Sequence, residues 1–218
     1  MRAVTPARHR RPGHVSGHGF TLVEAMVALA VFAILLAVGV PRMADWLSAT
    51  RAAAASGFYA EGMAVARSQA LAHNGASRLV LSRNAGNGQY DWRVDVCFPN
   101  PEAPCSDSTG AWSTAADAVK PVQDAGAGVK SIVRSAEALP GTGRLSVTPG
   151  PDGATAVYFT QLGWVDTRVD PRMMRIDLAP GSGAGSDFQA ASVVLTLGGI
   201  AARCAPGAPA NDSRRCPE

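Results

Sequence analysis

The stretch Gly19–Pro41 reads GFTLVEAMVALAVFAILLAVGVP. From Phe20 to Val40 it supplies about 21 residues, close to the roughly 20 that a helix needs to cross the hydrocarbon core of a bilayer. It has one ionisable side chain, Glu24. A carboxylate at that depth is expensive and is retained where it has a partner or a task. The next charged residue along the chain is Arg42, far down the same helix. The partner must therefore come from outside the helix or from a new charge. A cut between Gly19 and Phe20 would create one, because the α-amine of Phe20 would then lie a few residues from Glu24.

The flanks fit a processed, inserted segment. Residues 1–19 carry Arg2, Arg8, Arg10 and Arg11 and no acid. A basic segment ahead of an apolar one keeps the N-terminus cytoplasmic and sends the downstream chain across the membrane. The formal net charge of +3 belongs to this leader. Without its four arginines, 16 basic residues face 17 acidic ones. A basic arm for nucleic acid is the weaker reading, since a span comes directly after it. A secretory signal has a shorter apolar core and a small-residue cleavage site after it. Here the helical pattern simply continues. A plain membrane anchor explains everything except Glu24.

Beyond the span, Pro41 is placed to kink the helix, since it removes a backbone bond and crowds the preceding turn. An Ala-rich segment comes next, with apolar residues at helical spacing at Leu47, Ala54, Phe58, Val65 and Leu71. Asn74-Gly75 supplies the stop. The whole helix would run roughly 80 Å at 1.5 Å per residue. After Gly75 the pattern changes to short β-type runs separated by turn residues. Strands are expected near residues 77–82, 92–98, 130–135, 144–148, 156–160, 174–179 and 191–197, with a short last one at 200–203. Residues 99–128 read as a long polar loop and Pro180–Asp187 as a flexible hairpin tip.

Cys97, Cys105, Cys204 and Cys216 all lie beyond the span. Translocation would put them in an oxidising compartment, where disulfides persist. Cys97 with Cys105 and Cys204 with Cys216 is the economical choice among three connectivities. Zinc is the alternative, disfavoured by the spacing and by a single histidine, His73, after the leader.

GFTLVEAMVAL resembles the class III signal of type IV prepilins and type II secretion pseudopilins. The resemblance implies that a prepilin peptidase cuts after Gly19 and N-methylates Phe20. It also implies that Glu24 pairs with the N-terminal amine of a neighbouring subunit during filament assembly, and that Pro41 is the helix-kink position. Two later stretches are similar to the FimT/GspH group. One is the helix end and first strand around Ala66-Arg67-Ser68. The other is the F-x-x-x-G strand and turn, Phe159 to Gly163. That group implies an α+β fold: a long N-terminal helix, transmembrane in its first half, packed on a C-terminal antiparallel β-sandwich-like domain. The expected organisation is a leader at 1–19, a transmembrane assembly helix at 20–41, a periplasmic half-helix at 42–75 and a β-rich domain at 76–218.

No residue pattern calls for catalysis or for a cofactor. His73 sits at a helix end, and no nucleophile elbow, zinc-protease helix or P-loop occurs. Asp166 and Asp170 read as turn residues before they read as a calcium site. The expected role is therefore a non-enzymatic minor subunit of an envelope filament. Its partners would be the peptidase, other major and minor pilins or pseudopilins, and the bacterial inner membrane. It would be single-pass, with a cytoplasmic N-terminus and a periplasmic domain, before joining a pilus or pseudopilus. Two machines fit, type II secretion and the type IV pilus. DNA or an exoprotein is a further candidate partner. Some FimT-like pilins bind DNA through a C-terminal Gly-Arg-x-Arg patch. Here Arg203, Arg214 and Arg215 are candidate phosphate contacts, but Gly199 is followed by Ile200 and the motif is broken. A membrane-anchored binding domain that never polymerises is the remaining alternative.

Overall fold

The computed structural model describes residues 19–184 and 188–217. Most of the expected leader, residues 1–18, and the Gly185–Asp187 part of the expected hairpin tip lie outside the described residues. The chain divides into two compact units, Met1–Arg42 and Met43–Glu218.

Helix α1 runs from Leu22 to His73, 52 residues, and includes Pro41. In the first unit its side chains are exposed throughout. α1 is long and apolar enough to cross a membrane. Pro41 has no N–H to offer the carbonyl of Ala37, and the helix continues through it.

In the second unit, α1 packs on two antiparallel sheets, the α+β arrangement anticipated from the sequence. Strands β1 (Ala76–Arg83), β2 (Tyr90–Cys97), β3 (Ile132–Arg134) and β5 (Ala156–Phe159) form one sheet in the order β3-β2-β1-β5. Strands β4 (Leu145–Gly150), β6 (Arg175–Pro180), β7 (Ala191–Leu195) and β8 (Ala201–Cys204) form the other, in the order β4-β6-β7-β8. Every expected strand is present, with ends displaced by at most two residues.

The buried helix face differs from the expected one. Leu47, Ala54 and Leu71 are exposed, and Phe58 and Val65 are only partly buried. The buried face is Ala52, Ala55, Ser56, Tyr59, Gly62, Met63, Ala66 and Ala70, turned by about one residue. Close packing explains the change, because small residues let sheet side chains reach the helix. A Cβ on Gly62 would lie 3.1 Å from the Trp92 ring and 3.2 Å from Leu79. Trp92 fills that space and its indole N–H donates to the carbonyl of Phe58 at 3.0 Å. The hydroxyl of Ser77 donates to the carbonyl of Ala66 at 2.6 Å, and the N–H of Tyr90 donates to the hydroxyl of Tyr59 at 3.3 Å. Each such bond contributes about 1 kcal/mol net, and an unmade one at a buried position costs more. Leu79, Val157, Phe159, Ile176, Leu178 and Val193 join the same core from both sheets.

α1 stops at Asn74, which takes a left-handed φ of 47°. The N–H of Gly75 returns to the carbonyl of Ala70 at 3.2 Å. Asparagine tolerates this conformation at a helix end, and the turn aims β1 back along the helix.

Residues 99–128 contain no named strand, but they are pinned rather than loose. Cys97 is bonded to Cys105. Val119 and Val129 form an isolated bridge, as do Cys97 and Trp112. The segment covers the outer face of the β1–β2 sheet, away from α1. It brings Trp112 against the guanidinium of Arg78 (4.4 Å) and edge-on to Tyr158 (5.7 Å).

Candidate processing and assembly segment

The segment around the expected cut begins with open backbone. Gly19 and Phe20 are exposed, and a Cβ built on Gly19 meets nothing within 4 Å. Packing within this chain therefore does not demand glycine there. Thr21 precedes the first helical residue, and its hydroxyl accepts the N–H of Glu24 at 3.2 Å. Thr21-Leu-Val-Glu24 thus has the spacing of a capping box, with the threonine half of the exchange formed. Glu24 lies in the first turn, where the exposed N–H groups and helix dipole favour a carboxylate. The T-x-x-E spacing carried the signal for that local role, which the motif's assembly reading had overshadowed. Among the described residues, no cation pairs with the Glu24 carboxylate.

The helix end around Ala66-Arg67-Ser68 and the turn from Phe159 to Gly163 meet in the second unit. Nε of Arg67 donates to the carbonyl of Gly163 at 3.2 Å. Gly163 has a φ of +72°, and a Cβ there would lie 3.0 Å from Leu71. Gly199 has a φ of +77°, and a Cβ on it would overlap the carbonyl oxygen of Gly163 and sit 3.0 Å from the stem of Arg67. Three separate segments, the end of α1, the turn after β5 and the β7–β8 turn, are locked at this junction by two glycines.

The tail is closed by the Cys204–Cys216 bond, and Ala205 bridges to Arg215. Arg203 is exposed on β8, with no side-chain partner among the described residues. Arg214 is engaged: Nη2 and Nε lie 2.8 and 3.1 Å from the Asp212 carboxylate. Hydrogen bonds from the Arg214 side chain and backbone hold Asp212 down at about 2. The three arginines therefore differ, and Arg214 is not an uncommitted phosphate contact.

Asp166 receives the N–H and guanidinium of Arg168, whose hydrogen bonds depress its carboxyl below the usual range. Asp170 faces Arg172 at 3.4 Å. Asp166 and Asp170, read from the sequence as turn residues, each pair with an arginine two residues on, and no group of three or more potential metal ligands occurs among the described residues. His73, at the end of α1, is half-buried.

The sequence patterns did not point to Asp95. Its side chain is fully buried and its oxygens accept from Arg78 Nε (2.8 Å), Arg93 Nε (2.7 Å), Arg93 Nη2 (3.2 Å) and Ser131 Oγ (2.7 Å). Ser131 in turn meets the hydroxyl of Ser113 at 2.9 Å, and Ser113 accepts the N–H of Val96. The alternation of Asp91, Arg93 and Asp95 with Trp92, Val94 and Val96 marked an outer face. Nothing local announced that the Pro99–Val129 segment would bury it.

No curated protein and no solved structure matches the chain. Residues 16–40 match the family model described as the prokaryotic N-terminal methylation motif. The match covers the three residues before Gly19, then Gly19, Phe20, Glu24 and the apolar run, so that in this segment, as in its helix-on-sheets architecture, the chain is similar to type IV pilin-like proteins that are processed by prepilin peptidase.

Proposed function

We propose that the chain is a non-enzymatic minor pilin or pseudopilin of the FimT/GspH type, acting in type II secretion or in type IV pilus biogenesis. Prepilin peptidase removes residues 1–19 and methylates Phe20. The mature protein enters the filament through its N-terminal helix. The observation that carries the reading is Glu24: a lone carboxylate in an apolar helix, inside the methylation motif. The Arg67–Gly163 junction supports the finer assignment, because it joins the two further stretches that resemble that group.

On this account Glu24 sets the axial register of an incoming subunit. An ion pair with the neighbour's α-amine is favourable in low dielectric, and either partner left alone there is costly. Gly19 is needed by the peptidase rather than by the fold, which leaves its Cβ position open. The test is Glu24→Ala in the native host, with filament fractions sedimented and blotted. The variant should be cut and retained in the membrane fraction yet recovered poorly with filaments. Recovery equal to wild type would remove the assembly role.

A further inference from the structure

The edge strand β8 borders a groove that the fold leaves unfilled. β8 pairs with β7 on one side; on the other, among the described residues, only the residue after it is paired, Ala205 with Arg215 of the tail, and Ala201 to Cys204 have no strand beside them. Beside that open edge lies a groove of about 550 Å³, walled by β8 and the β7–β8 turn and floored by α1. The floor lies low because its residues are small: Gly57, Ala60 and Ala64. Leu71 and Ile200 are exposed along it, 46% and 59%. Ala201 and Arg203, alternate residues of β8, both line it. The groove thus occupies the place of the next strand in this sheet, with space for one backbone above the helix.

Its charge selects the occupant. Arg67 and Arg203 both reach the groove. Among the described residues, Arg67 uses only Nε, on Gly163, and the Arg203 side chain makes no hydrogen bond or ion pair. The one carboxylate in the lining, Glu61, faces Arg134 at 3.6 Å. Among the described residues, two guanidiniums therefore stand without an ion pair beside the open part of the strand edge. An exposed edge is a template for pairing, and strand addition draws affinity from backbone bonds and specificity from alternate side chains.

We propose that this groove accepts an extended segment of another polypeptide, added beside β8 as the next strand and presenting a carboxylate side chain to Arg67 and Arg203. The inference does not rest on the filament reading, since it concerns only the second unit.

The test uses the full chain in detergent micelles and two blocked peptides of alternating Val and Thr, one with a central Glu and one with a central Lys. The readouts are amide exchange at Ala201–Cys204 and affinity by fluorescence anisotropy. The Glu peptide should slow exchange at β8 and bind roughly tenfold tighter than the Lys peptide. Arg203→Gln should erase most of that difference. Ala64→Leu, at an exposed helix position, should block both peptides by filling the floor. The proposal is overturned if the Glu peptide leaves β8 exchange unchanged, or if it binds Arg203→Gln and Ala64→Leu as tightly as wild type. It is also overturned if the peptide protects β3 or β5 instead, or if oligothymidylate displaces it at lower concentration, which would assign the arginines to phosphate.

Discussion

Replacing Asp95 with asparagine should unpin the covering segment from the β1–β2 sheet. The carboxylate is fully buried and takes hydrogen bonds from Arg78, Arg93 and Ser131. Asparagine keeps the shape but loses the charge, and it turns an amide donor toward a guanidinium. Breaking a buried ion pair costs roughly 3–5 kcal/mol. The side chains of Arg78 and Arg93 remain 17% and 42% exposed, so water can solvate what is left. That puts the expected loss near the lower end, about 3 kcal/mol. For a unit of this size, it corresponds to a fall in Tm of roughly 6–12 °C. Thermal unfolding of the full chain in detergent, followed by tryptophan fluorescence, measures it, because Trp92 lies in the core and Trp112 in the covering segment. Proteolysis within residues 99–128 should rise in parallel. Arg93→Ala is the control, expected to cost about 1 kcal/mol or less, since Arg78 and Ser131 still hold the carboxylate. An Asp95→Asn protein within about 0.5 kcal/mol of wild type would refute the reasoning. So would an Arg93→Ala loss as large as the asparagine one.

Three further outcomes are expected. Gly199→Ala should cost about 2 kcal/mol or more, because it adds the left-handed penalty to an overlap with the Gly163 carbonyl. Gly153→Ala, at φ +80° with open space around it, should cost only about 1 kcal/mol, and equal losses in chemical denaturation would deny the junction. Burial pushes the Tyr59 hydroxyl up to about 12, against a weaker lowering by the Tyr90 N–H. The folded state therefore holds this proton more tightly than the unfolded state, and the contribution is intact below about pH 10. As pH rises from about 10 through 12, wild type should lose roughly 3 kcal/mol relative to Tyr59→Phe, and parallel alkaline profiles of the two proteins would contradict this. Serines at both Cys204 and Cys216 should free the tail at an entropic cost of about 3 kcal/mol. Faster trypsin cleavage at Arg214 and Arg215 with unchanged exchange at Trp92 would bear that out, whereas global unfolding would not.

The parts legible in the sequence were those written in a local period. The apolar run, its lone glutamate and the alternating strands each carry their signal within a dozen residues. The helical spacing of Leu47, Ala54, Phe58, Val65 and Leu71 points to a face that the structure leaves exposed or only partly buried. The contact needed small residues instead, with Gly62 admitting the Trp92 ring. That preference depends on a partner some thirty residues away in the chain. Asp95 was missed for a related reason. Its burial comes from Ser131 and a covering segment of polar, turn-rich composition that reads as solvent-exposed. The Asp166 and Asp170 turn shows the converse, where arginines two residues on supplied the partners at close range.

The central claim is that residues 1–19 are removed to create the amine that Glu24 requires. Intact mass and N-terminal sequencing of the membrane-extracted protein test it directly, with the chain expressed beside a prepilin peptidase and without it. The account predicts a chain that begins at N-methylated Phe20 only when the peptidase is present. A chain beginning at Met1 in both cases would contradict it, and would make α1 an ordinary anchor with an unexplained carboxylate.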